Sequence, residues 1–273
     1  MLSLAKTQKK RVHGHVLAWD RSDFKPNPQW LYNFKGTPIQ FDSILKNHIF
    51  TVLSKYKRTI KSWDVVNEAF DEHGANYRPG IWFNNLGIEW VEKAFKYAEQ
   101  ATNGEVSLFY NDYHLLINPV KLDKVLNLLD NIRKKGIKVD GIGLQGHLFA
   151  FTTISPLIHN NLRKIVKRGY KVHISELDIS LNLLKNFNRR SWWLDFFQRI
   201  KYFTVANAYQ KIVPNHLKHG ITFWQFSDAD NWLTPYLGKE DWPCIYDKNY
   251  HRKPAHTGFE DGLNEFWRWW IFP

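Results

Sequence analysis

Runs of strand length alternate with helical patterns along this 273-residue chain, and polar residues follow each run. The strand patterns are rich in β-branched and aromatic residues, whereas the helical patterns repeat apolar residues every three to four positions. A helix between successive strands predicts parallel strands joined by crossover helices. The predicted strands lie in Arg11–Trp19, Thr59–Phe70, Val106–Tyr110, Val139–Leu144, Val172–Ile174 and Gly220–Phe226, and the predicted helices are Leu2–Lys9, Phe41–Tyr56, Ile88–Ala101, Val120–Lys135, Ser155–Lys167 and Trp192–Ile212.

The polar clusters after these strands predict the fold class. Polar residues at the carboxyl ends of parallel strands are typical of the mouth of a (β/α) barrel. An open doubly wound sheet obeys the same rule, but its glycine-rich phosphate-binding turn is absent from the sequence. We therefore predict an α/β fold of the TIM (β/α)₈ type, although the chain has only six strand patterns. No composition break divides residues 1–273, so we expect a single domain.

Composition excludes several classes of protein. No apolar run reaches the roughly 20 residues that span a bilayer, so we expect no membrane partner. The single cysteine, Cys244, excludes an intrachain disulfide and a cysteine-based zinc site. The net charge of +12 is spread over the predicted helices, which indicates a solvated surface rather than a nucleic-acid site, although it allows an acidic polysaccharide. The 13 Trp, 12 Tyr and 19 Phe mildly favour a carbohydrate ligand, because flat rings match the apolar faces of sugars.

Two glutamates follow predicted strands and suggest the chemistry. In TIKSWDVVNEAF, the apolar run from Ile60 to Val66 ends at Asn67 and Glu68, and in KVHISELDIS a second run ends at Glu176. Burial favours the neutral form of a carboxylic acid, which a general acid needs near neutral pH. Double-displacement glycoside hydrolysis requires two such carboxyl groups, one as acid/base and one as nucleophile. The alternative is a strand followed by polar residues that cap the next helix.

The set of strand-end motifs resembles the xylanases of glycoside hydrolase family 10. Their order and spacing agree along nearly the whole chain, and WDVVNE followed by ELDI is a specific combination. The matching segments are Gly14–Trp19 (GHVLAW), Trp63–Glu68 (WDVVNE), Asn111–Tyr113 (NDY), Gly143–Leu148 (GLQGHL), Glu176–Asp178 (ELD), Trp224–Trp232 and Asp247–Pro254. The resemblance implies a (β/α)₈ barrel that hydrolyses internal β-1,4 bonds of xylan with retention of configuration, without a metal or organic cofactor.

The resemblance also implies roles for individual residues. Glu68 resembles the acid/base, Glu176 the nucleophile, and Asn67 the residue that binds the sugar 2-hydroxyl at the cleavage point. His147 and Asp178 are expected to hold Glu176 in its ionised form. The residues expected to contact sugars are His15, Trp19, Gln145 and Trp224 in the glycone pocket, Trp232 at its rim and Tyr113 on the aglycone side. In a retaining enzyme, the carboxyl groups of Glu68 and Glu176 are expected about 5–5.5 Å apart.

The chain also departs from the family pattern. A histidine follows the tryptophan of GHxLxW in the family, where this chain has Asp20, and Ser22 stands where a glutamine commonly binds sugar. The family's first two strands carry a Glu–Asn pair and a Lys that bind glycone sugars, and they would precede Leu2–Lys9. We therefore expect a catalytic domain that encodes only strands 3–8, with weak or no xylan hydrolysis by this chain. The start MLSLAKTQKKRVHG lacks the apolar core of a signal peptide. Either export is absent, or the exporting segment is missing from this sequence. We expect the full-length protein to be secreted or periplasmic.

Other interpretations stay open at this point. One is a catalytically impaired carbohydrate-binding remnant, and another is a barrel hydrolase of a different β-1,4-glycan. Packing roles are an alternative for His15, Trp224 and Trp232, and a metal site is an alternative for His13 and His15, although the sequence suggests no third ligand. The aromatic cluster Trp267–Phe272 is expected to pack against the barrel. The expected partner is xylan, with or without glucuronic acid decoration, and the expected state is a monomer.

Overall fold

The computed structural model describes residues 2–19, 21, 23 and 25–266. The predicted aromatic cluster at Trp267–Phe272 and the departures at Asp20 and Ser22 lie outside the described residues. The chain divides into two compact units. The first unit combines Met1–Asp112 with Val120–Gly143, and the second combines Tyr113–Pro119 with Leu144–Pro273.

The first unit contains parallel strands that are connected through helices. Its helices are α1 (Leu2–Thr7), α2 (Gln29–Asn33), α3 (Pro38–Tyr56), α4 (Ile81–Leu86), α5 (Trp90–Thr102) and α6 (Pro119–Lys134), and its strands are β1 (His13–Gly14), β2 (Ala18–Trp19), β3 (Ser62–Asn67), β4 (Ser107–Asp112) and β5 (Gly141–Leu144). Both β1 and β2 pair in parallel with β3, β3 pairs in parallel with β4, and β4 neighbours β5. Because β3 has strands on both sides, all of its residues are buried.

The register of these strands aligns their polar ends. Trp19 of β2 is the partner of Asn67 in β3, and Asn67 is the partner of Asn111 in β4. Parallel strands bring their carboxyl ends to one edge of the sheet, as the sequence pattern predicts. The residues that follow β3 therefore leave the sheet next to the ends of its two neighbours.

Local sequence explains why α3 begins where it does. Thr37 forms a capping box with Gln40, whose backbone N–H lies 3.4 Å from the Thr37 hydroxyl, while Gln40 Oε1 accepts from the Thr37 backbone N–H at 2.8 Å. Pro38 occupies the first turn, where its missing N–H costs nothing. The buried face of α3 repeats every four residues and consists of Phe41, Leu45, Ile49 and Leu53.

Two predictions for the first unit need correction. The predicted strand Arg11–Trp19 is divided into β1 and β2, because His15 turns its ring toward Asp64 between them. The predicted loop Asp71–Asn85 contains most of α4, although glycine, asparagine and proline dominate its sequence. The buried side chains of Ile81 and Trp82 stabilise α4 through tertiary packing, which overrides the weak local preference.

The second unit has the same parallel organisation. Its elements are β6 (His147–Phe149), α7 (Ser155–Lys167), β7 (Lys171–Ser180), α8 (Trp192–Ile212), β8 (Lys218–Phe223), α9 (Leu233–Leu237) and α10 (Pro254–Leu263). Strands β6 and β8 both pair in parallel with β7. Among the described residues, no helix combines the length and the apolar character needed to cross a membrane.

The second unit also contains elements that the sequence pattern does not predict. Strand β6 begins only three residues after β5, because Gly146 adopts a φ of +82° and lets the chain turn at once into a new strand. Helix α10 contains two glycines, which weaken its helical pattern. A Cβ atom at Gly258 would lie 2.3 Å from the carbonyl oxygen of Arg199, so the glycine allows α10 to pack closely on α8.

Candidate active site

Glu68 lies immediately after β3 in the first unit and is 5% exposed. Its backbone adopts a φ of +55°, in the left-handed region that residues other than glycine rarely adopt. Its N–H donates a 2.9 Å hydrogen bond to the carbonyl oxygen of Asn111, at the end of the neighbouring strand. The chain therefore turns sharply at Glu68, and the carboxyl group belongs to a strand end rather than to the following helix.

The carboxyl group of Glu68 contacts two side chains of the first unit. Asn67 Nδ2 donates to Oε1 at 3.3 Å, and Asn111 Nδ2 orients the Asn67 amide by donating to its Oδ1 at 2.9 Å. Arg21 Nη1 lies 3.3 Å from Glu68 Oε2, while the rest of the same guanidinium pairs with Asp23. The hydrogen bond from Arg21 lowers the pKa of Asp23 to about 2, so this pair stays ionised. Sequence reasoning missed Arg21, since it lies in an irregular segment without a motif.

A buried hydrogen-bonded group lies next to the end of β4. The hydroxyl of Tyr110 donates to Asp112 Oδ2 at 2.7 Å and accepts from the backbone N–H of Ala69 at 3.1 Å. Lys121 of α6 donates to Asp112 Oδ1 at 2.6 Å, and neither side chain of this ion pair is exposed. Burial raises the pKa of Asp112 to about 6 despite the nearby Lys121, and the charge of Glu68 adds to this effect.

Asp64 explains where the two histidines near β1 are placed. His13 Nε2 lies 3.0 Å from Asp64 Oδ1, and His15 Nδ1 lies 2.9 Å from Asp64 Oδ2. Burial alone would raise the pKa of Asp64, but the two imidazoles hold it well below its usual range. Both imidazole rings therefore contact the same carboxylate from the first unit. Trp19, the other residue predicted for a glycone pocket in this unit, is half-buried beside Asn67.

The second unit positions Glu176 and Asp178 on β7. The N–H of Glu176 donates to the carbonyl oxygen of Gln145 at 2.8 Å, and Glu176 is only 5% exposed. His147, the first residue of β6, lies between the two carboxylates. Its Nε2 is 3.2 Å from Glu176 Oε2, and its Nδ1 is 2.9 Å from Asp178 Oδ1. The structure thus brings together the predicted nucleophile and the two residues predicted to hold it.

The charge of His147 follows from this arrangement. Burial alone would lower its pKa, but Asp178 and Glu176 raise the pKa of His147 to about 10. The imidazole is therefore protonated at neutral pH and donates from both ring nitrogens. The protonated ring therefore contacts Glu176 Oε2 through Nε2 and Asp178 Oδ1 through Nδ1 at the same time. Glu176, His147 and Asp178 form an ion-pair triad, with the imidazole between the two carboxylates.

Aromatic residues surround this triad within the second unit. Trp232 Nε1 donates to Asp178 Oδ2 at 2.7 Å, and its ring meets the His147 ring with centroids 5.1 Å apart. Trp224 meets the edge of the same imidazole at 6.2 Å and is 43% exposed. Tyr113, the residue predicted for the aglycone side, is half-buried and contacts the neighbouring His114 ring at 4.8 Å. The exposed indole of Trp224 and the partly buried indole of Trp232 lie beside two buried carboxylates, and together they provide an apolar surface and polar groups for a sugar.

Comparison with known proteins identifies the class. Residues 1–261 match the family model described as Glycosyl hydrolase family 10. The chain is 32% identical over 273 residues to endo-beta-1,4-xylanase Xyn10C of Cellvibrio japonicus, and the aligned region covers 92% of this chain and 44% of that protein. It is also 32% identical over 257 residues to a beta-1,4-xylanase of Dictyoglomus thermophilum, which covers 90% of this chain and 69% of that protein. The chain thus spans less than half the length of the Cellvibrio relative.

Solved structures agree with this assignment. Native xylanase10C from Cellvibrio japonicus superposes with a TM-score of 0.91 at 31% identity, over 97% of this chain and 59% of that one. Native xylanase 10B from Thermotoga maritima gives a TM-score of 0.87 at 29% identity, over 97% of this chain and 78% of that one. The protein belongs to glycosyl hydrolase family 10. The predicted fold class, an α/β fold of the TIM-barrel type, is confirmed.

Proposed function

We propose that this protein is a retaining endo-β-1,4-xylanase that hydrolyses internal bonds of xylan by double displacement. Family membership and the named xylanase relatives support the activity and the substrate class. A structure of a mutant Xylanase10C from Cellvibrio japonicus in complex with xylopentaose has a TM-score of 0.91 to this chain, which supports a xylan-derived ligand. The net charge of +12 also allows xylan that carries glucuronic acid. Secretion or periplasmic export and a monomeric state are part of this proposal.

The ion-pair triad of Glu176, His147 and Asp178 carries the proposal. In the first step, the Glu176 carboxylate attacks the anomeric carbon while Glu68 protonates the departing glycosidic oxygen. The protonated His147 orients Glu176 by donating to its Oε2, and Asp178 helps to keep His147 protonated. In the second step, Glu68 takes a proton from water, which attacks the glycosyl-enzyme and releases Glu176.

The remaining predicted residues bind the sugar in this proposal. Asn67, whose amide is oriented by Asn111, binds the 2-hydroxyl, a contact that strengthens in the transition state. The proposed sugar-contacting residues are His15, Trp19, Gln145 and Trp224 in the glycone pocket, Trp232 at the rim and Tyr113 on the aglycone side. No step requires a metal or an organic cofactor.

Trapping of the covalent intermediate tests the proposal. An aryl 2-deoxy-2-fluoro-β-xylobioside with a good leaving group forms a glycosyl-enzyme that hydrolyses slowly, because the fluorine destabilises the oxocarbenium-like transition state. We expect mass spectrometry of the digested chain to show one fluoroxylobiosyl adduct, on Glu176, and no adduct in Glu176→Ala. NMR of xylan hydrolysis should show the β-anomer as the first product. An adduct elsewhere or the α-anomer would contradict the assignment, and xylan binding without turnover and without adduct formation would favour the carbohydrate-binding alternative.

A further inference from the structure

The backbone at Glu68 is held in a conformation that the residue does not prefer. A φ of +55° is unfavourable for a residue with a Cβ atom relative to the right-handed region. Such a conformation persists only when surrounding contacts hold it in place. The structure shows two contacts that hold the peptide groups on either side of Glu68. The Glu68 N–H donates to Asn111 O at 2.9 Å, and the Ala69 N–H donates to the Tyr110 hydroxyl at 3.1 Å.

The Tyr110 hydroxyl is itself fixed by buried charges. Because it accepts from Ala69, its own hydrogen is available to Asp112 Oδ2, which lies 2.7 Å away. Burial and the charge of Asp112 raise the pKa of Tyr110 well above its ordinary value, so the phenol stays protonated and keeps donating. The other oxygen of Asp112 accepts from Lys121 at 2.6 Å. Tyr110, Asp112 and Lys121 are called the positioning trio below.

The loop after Ala69 packs directly on this trio. A Cβ atom at Gly74 would lie 2.4 Å from the Cα atom of Lys121, so the loop approaches α6 as closely as backbone can. Gly74 has a φ of +74°, which adds a second reason for glycine at this position. Lys121 therefore contacts both the loop that follows Glu68, at Gly74, and the end of β4, at Asp112.

We propose that the positioning trio fixes the direction of the Glu68 carboxyl group by holding the Glu68–Ala69 peptide, and that proton transfer by Glu68 depends on it. This inference rests on the proposed role of Glu68 as acid/base. A buried ion pair is a weak source of stability, because desolvation offsets much of the attraction. A directional contact with the peptide after the acid/base is a function that such a pair performs and that apolar side chains of equal volume do not.

Removal of a single hydroxyl group tests this inference. Tyr110→Phe deletes the acceptor of the Ala69 N–H and the donor to Asp112. Tyr209→Phe is the matched control, because the buried Tyr209 hydroxyl also accepts from a backbone N–H, that of Gly220 at 2.9 Å, and donates to Val172 O at 3.1 Å. Both variants lose one buried hydroxyl with two hydrogen bonds, but only the first is next to Glu68.

Amide hydrogen exchange provides a readout that does not depend on activity. We expect the Ala69 amide to exchange about tenfold faster or more in Tyr110→Phe, since a buried N–H loses its acceptor, and to keep its wild-type rate in Tyr209→Phe. An unchanged Ala69 rate in Tyr110→Phe would overturn the inference, whether or not the chain hydrolyses xylan. If Tyr110→Phe does not fold, the nearly isosteric Asp112→Asn is measured in its place. This variant keeps the acceptor of the Ala69 N–H but weakens the contact that fixes the Tyr110 hydroxyl, so we expect a smaller acceleration of Ala69 exchange, and an unchanged rate would again overturn the inference.

Kinetics separate the inference from the proposed function. We expect Tyr110→Phe to lower kcat for xylan about tenfold or more and to spare the first step on a dinitrophenyl β-xylobioside, whose leaving group needs no proton. Tyr209→Phe should affect both substrates equally or neither. If the wild-type chain turns over neither substrate, the proposed function fails and the exchange rate alone decides the inference. If Glu68→Ala shows the leaving-group dependence but Tyr110→Phe does not, the inference fails and the function stands.

Discussion

The indole of Trp232 anchors Asp178 through a 2.7 Å hydrogen bond from Nε1 to Oδ2. The other oxygen of Asp178 lies 2.9 Å from His147 Nδ1, so the carboxylate is held from two directions. His147 then has one defined position from which its Nε2 reaches Glu176. The orientation of the proposed nucleophile therefore depends on Trp232, which acts on it through Asp178 and His147.

Replacement of Trp232 by Phe should separate orientation from stacking. Trp232→Phe keeps an aromatic ring but removes the donor to Asp178. We expect kcat on xylan to fall about tenfold, because a hydrogen bond to a charged group contributes about 1.5–3 kcal/mol, while KM stays nearly unchanged. Steady-state kinetics measure this split. Trp193→Phe, on the partly exposed side of α8, is the control and should leave both constants unchanged, whereas an unaltered kcat in Trp232→Phe would refute the argument.

The triad should also make the free energy of unfolding decrease as the pH rises into the alkaline range. The pKa of His147 is raised from 6.5 in the unfolded chain to about 10 in the folded one, so its contribution is fully present below pH 6.5. The contribution is lost as the pH rises through about 10, because the folded protein then gives up its extra proton. Each pKa unit corresponds to about 1.4 kcal/mol, so we expect the free energy of unfolding to fall by a few kcal/mol between pH 6.5 and 10.

Urea denaturation across this pH range measures the effect. His147→Gln should be less stable than wild type at pH 6.5 and should lose most of the additional decline toward pH 10. His159→Gln, which changes a partly exposed histidine of α7 that forms no part of the triad, should follow the wild-type curve. A His147→Gln curve parallel to that of wild type would show that the triad is not the source of the pH dependence.

The proposed acid/base predicts a dependence on the leaving group. Glu68→Ala should slow xylan hydrolysis by about 100-fold or more, because general acid catalysis contributes factors of this size. It should leave glycosylation by a dinitrophenyl β-xylobioside nearly unchanged, whereas Glu176→Ala should abolish turnover of both substrates. Pre-steady-state release of dinitrophenol measures the first step alone. Equal losses on both substrates in Glu68→Ala would remove Glu68 from the role of acid.

A buried ion pair in the second unit should be essential for stability. Lys253 donates to Asp228 Oδ2 at 2.9 Å, and both side chains are at most 3% exposed. Lys253→Met leaves a buried carboxylate without its cation, so we expect a loss of about 3–5 kcal/mol in the free energy of unfolding. The double variant with Asp228→Asn should recover part of this loss. The exposed pair of Lys135 and Glu92 provides the control, because Lys135→Met should not change stability measurably. An intact stability in Lys253→Met would contradict this prediction.

Sequence patterns predict the strand ends well, since burial imposes an apolar run and the polar residue after it is visible. Asn67 and Glu68 are examples, because β3 ends at Asn67 as the pattern implies. The predicted end at Ile174 is wrong, since β7 continues to Ser180 and Glu176 lies within it. Helices with a clear apolar period, such as α7, begin and end as predicted. The short helix α4 is not predictable in this way, because its stability comes from two side chains that are buried by distant parts of the chain.

The residues that hold Glu68 in place are harder to predict, for a different reason. Lys121 has the appearance of a surface lysine in an amphipathic helix, yet it is fully buried because the loop at Gly74 covers it. Tyr110 occurs in an apolar strand, and its hydroxyl acquires a role only through the parallel register of β3 and β4. Arg21 reaches Glu68 from an irregular segment. All three contacts depend on tertiary geometry that no local pattern encodes.

The left-handed backbone at Glu68 has a consequence for protein engineering. Glycine adopts this conformation without steric cost, so Glu68→Gly relieves strain that Glu68→Ala retains, and it also removes a buried carboxyl group. A directed-evolution screen that scores thermal tolerance alone would therefore enrich glycine here, in clones that lack the proposed acid/base. Selection on the proposed xylan turnover should restore the glutamate, because thermal robustness and the proposed catalysis require different amino acids at this position.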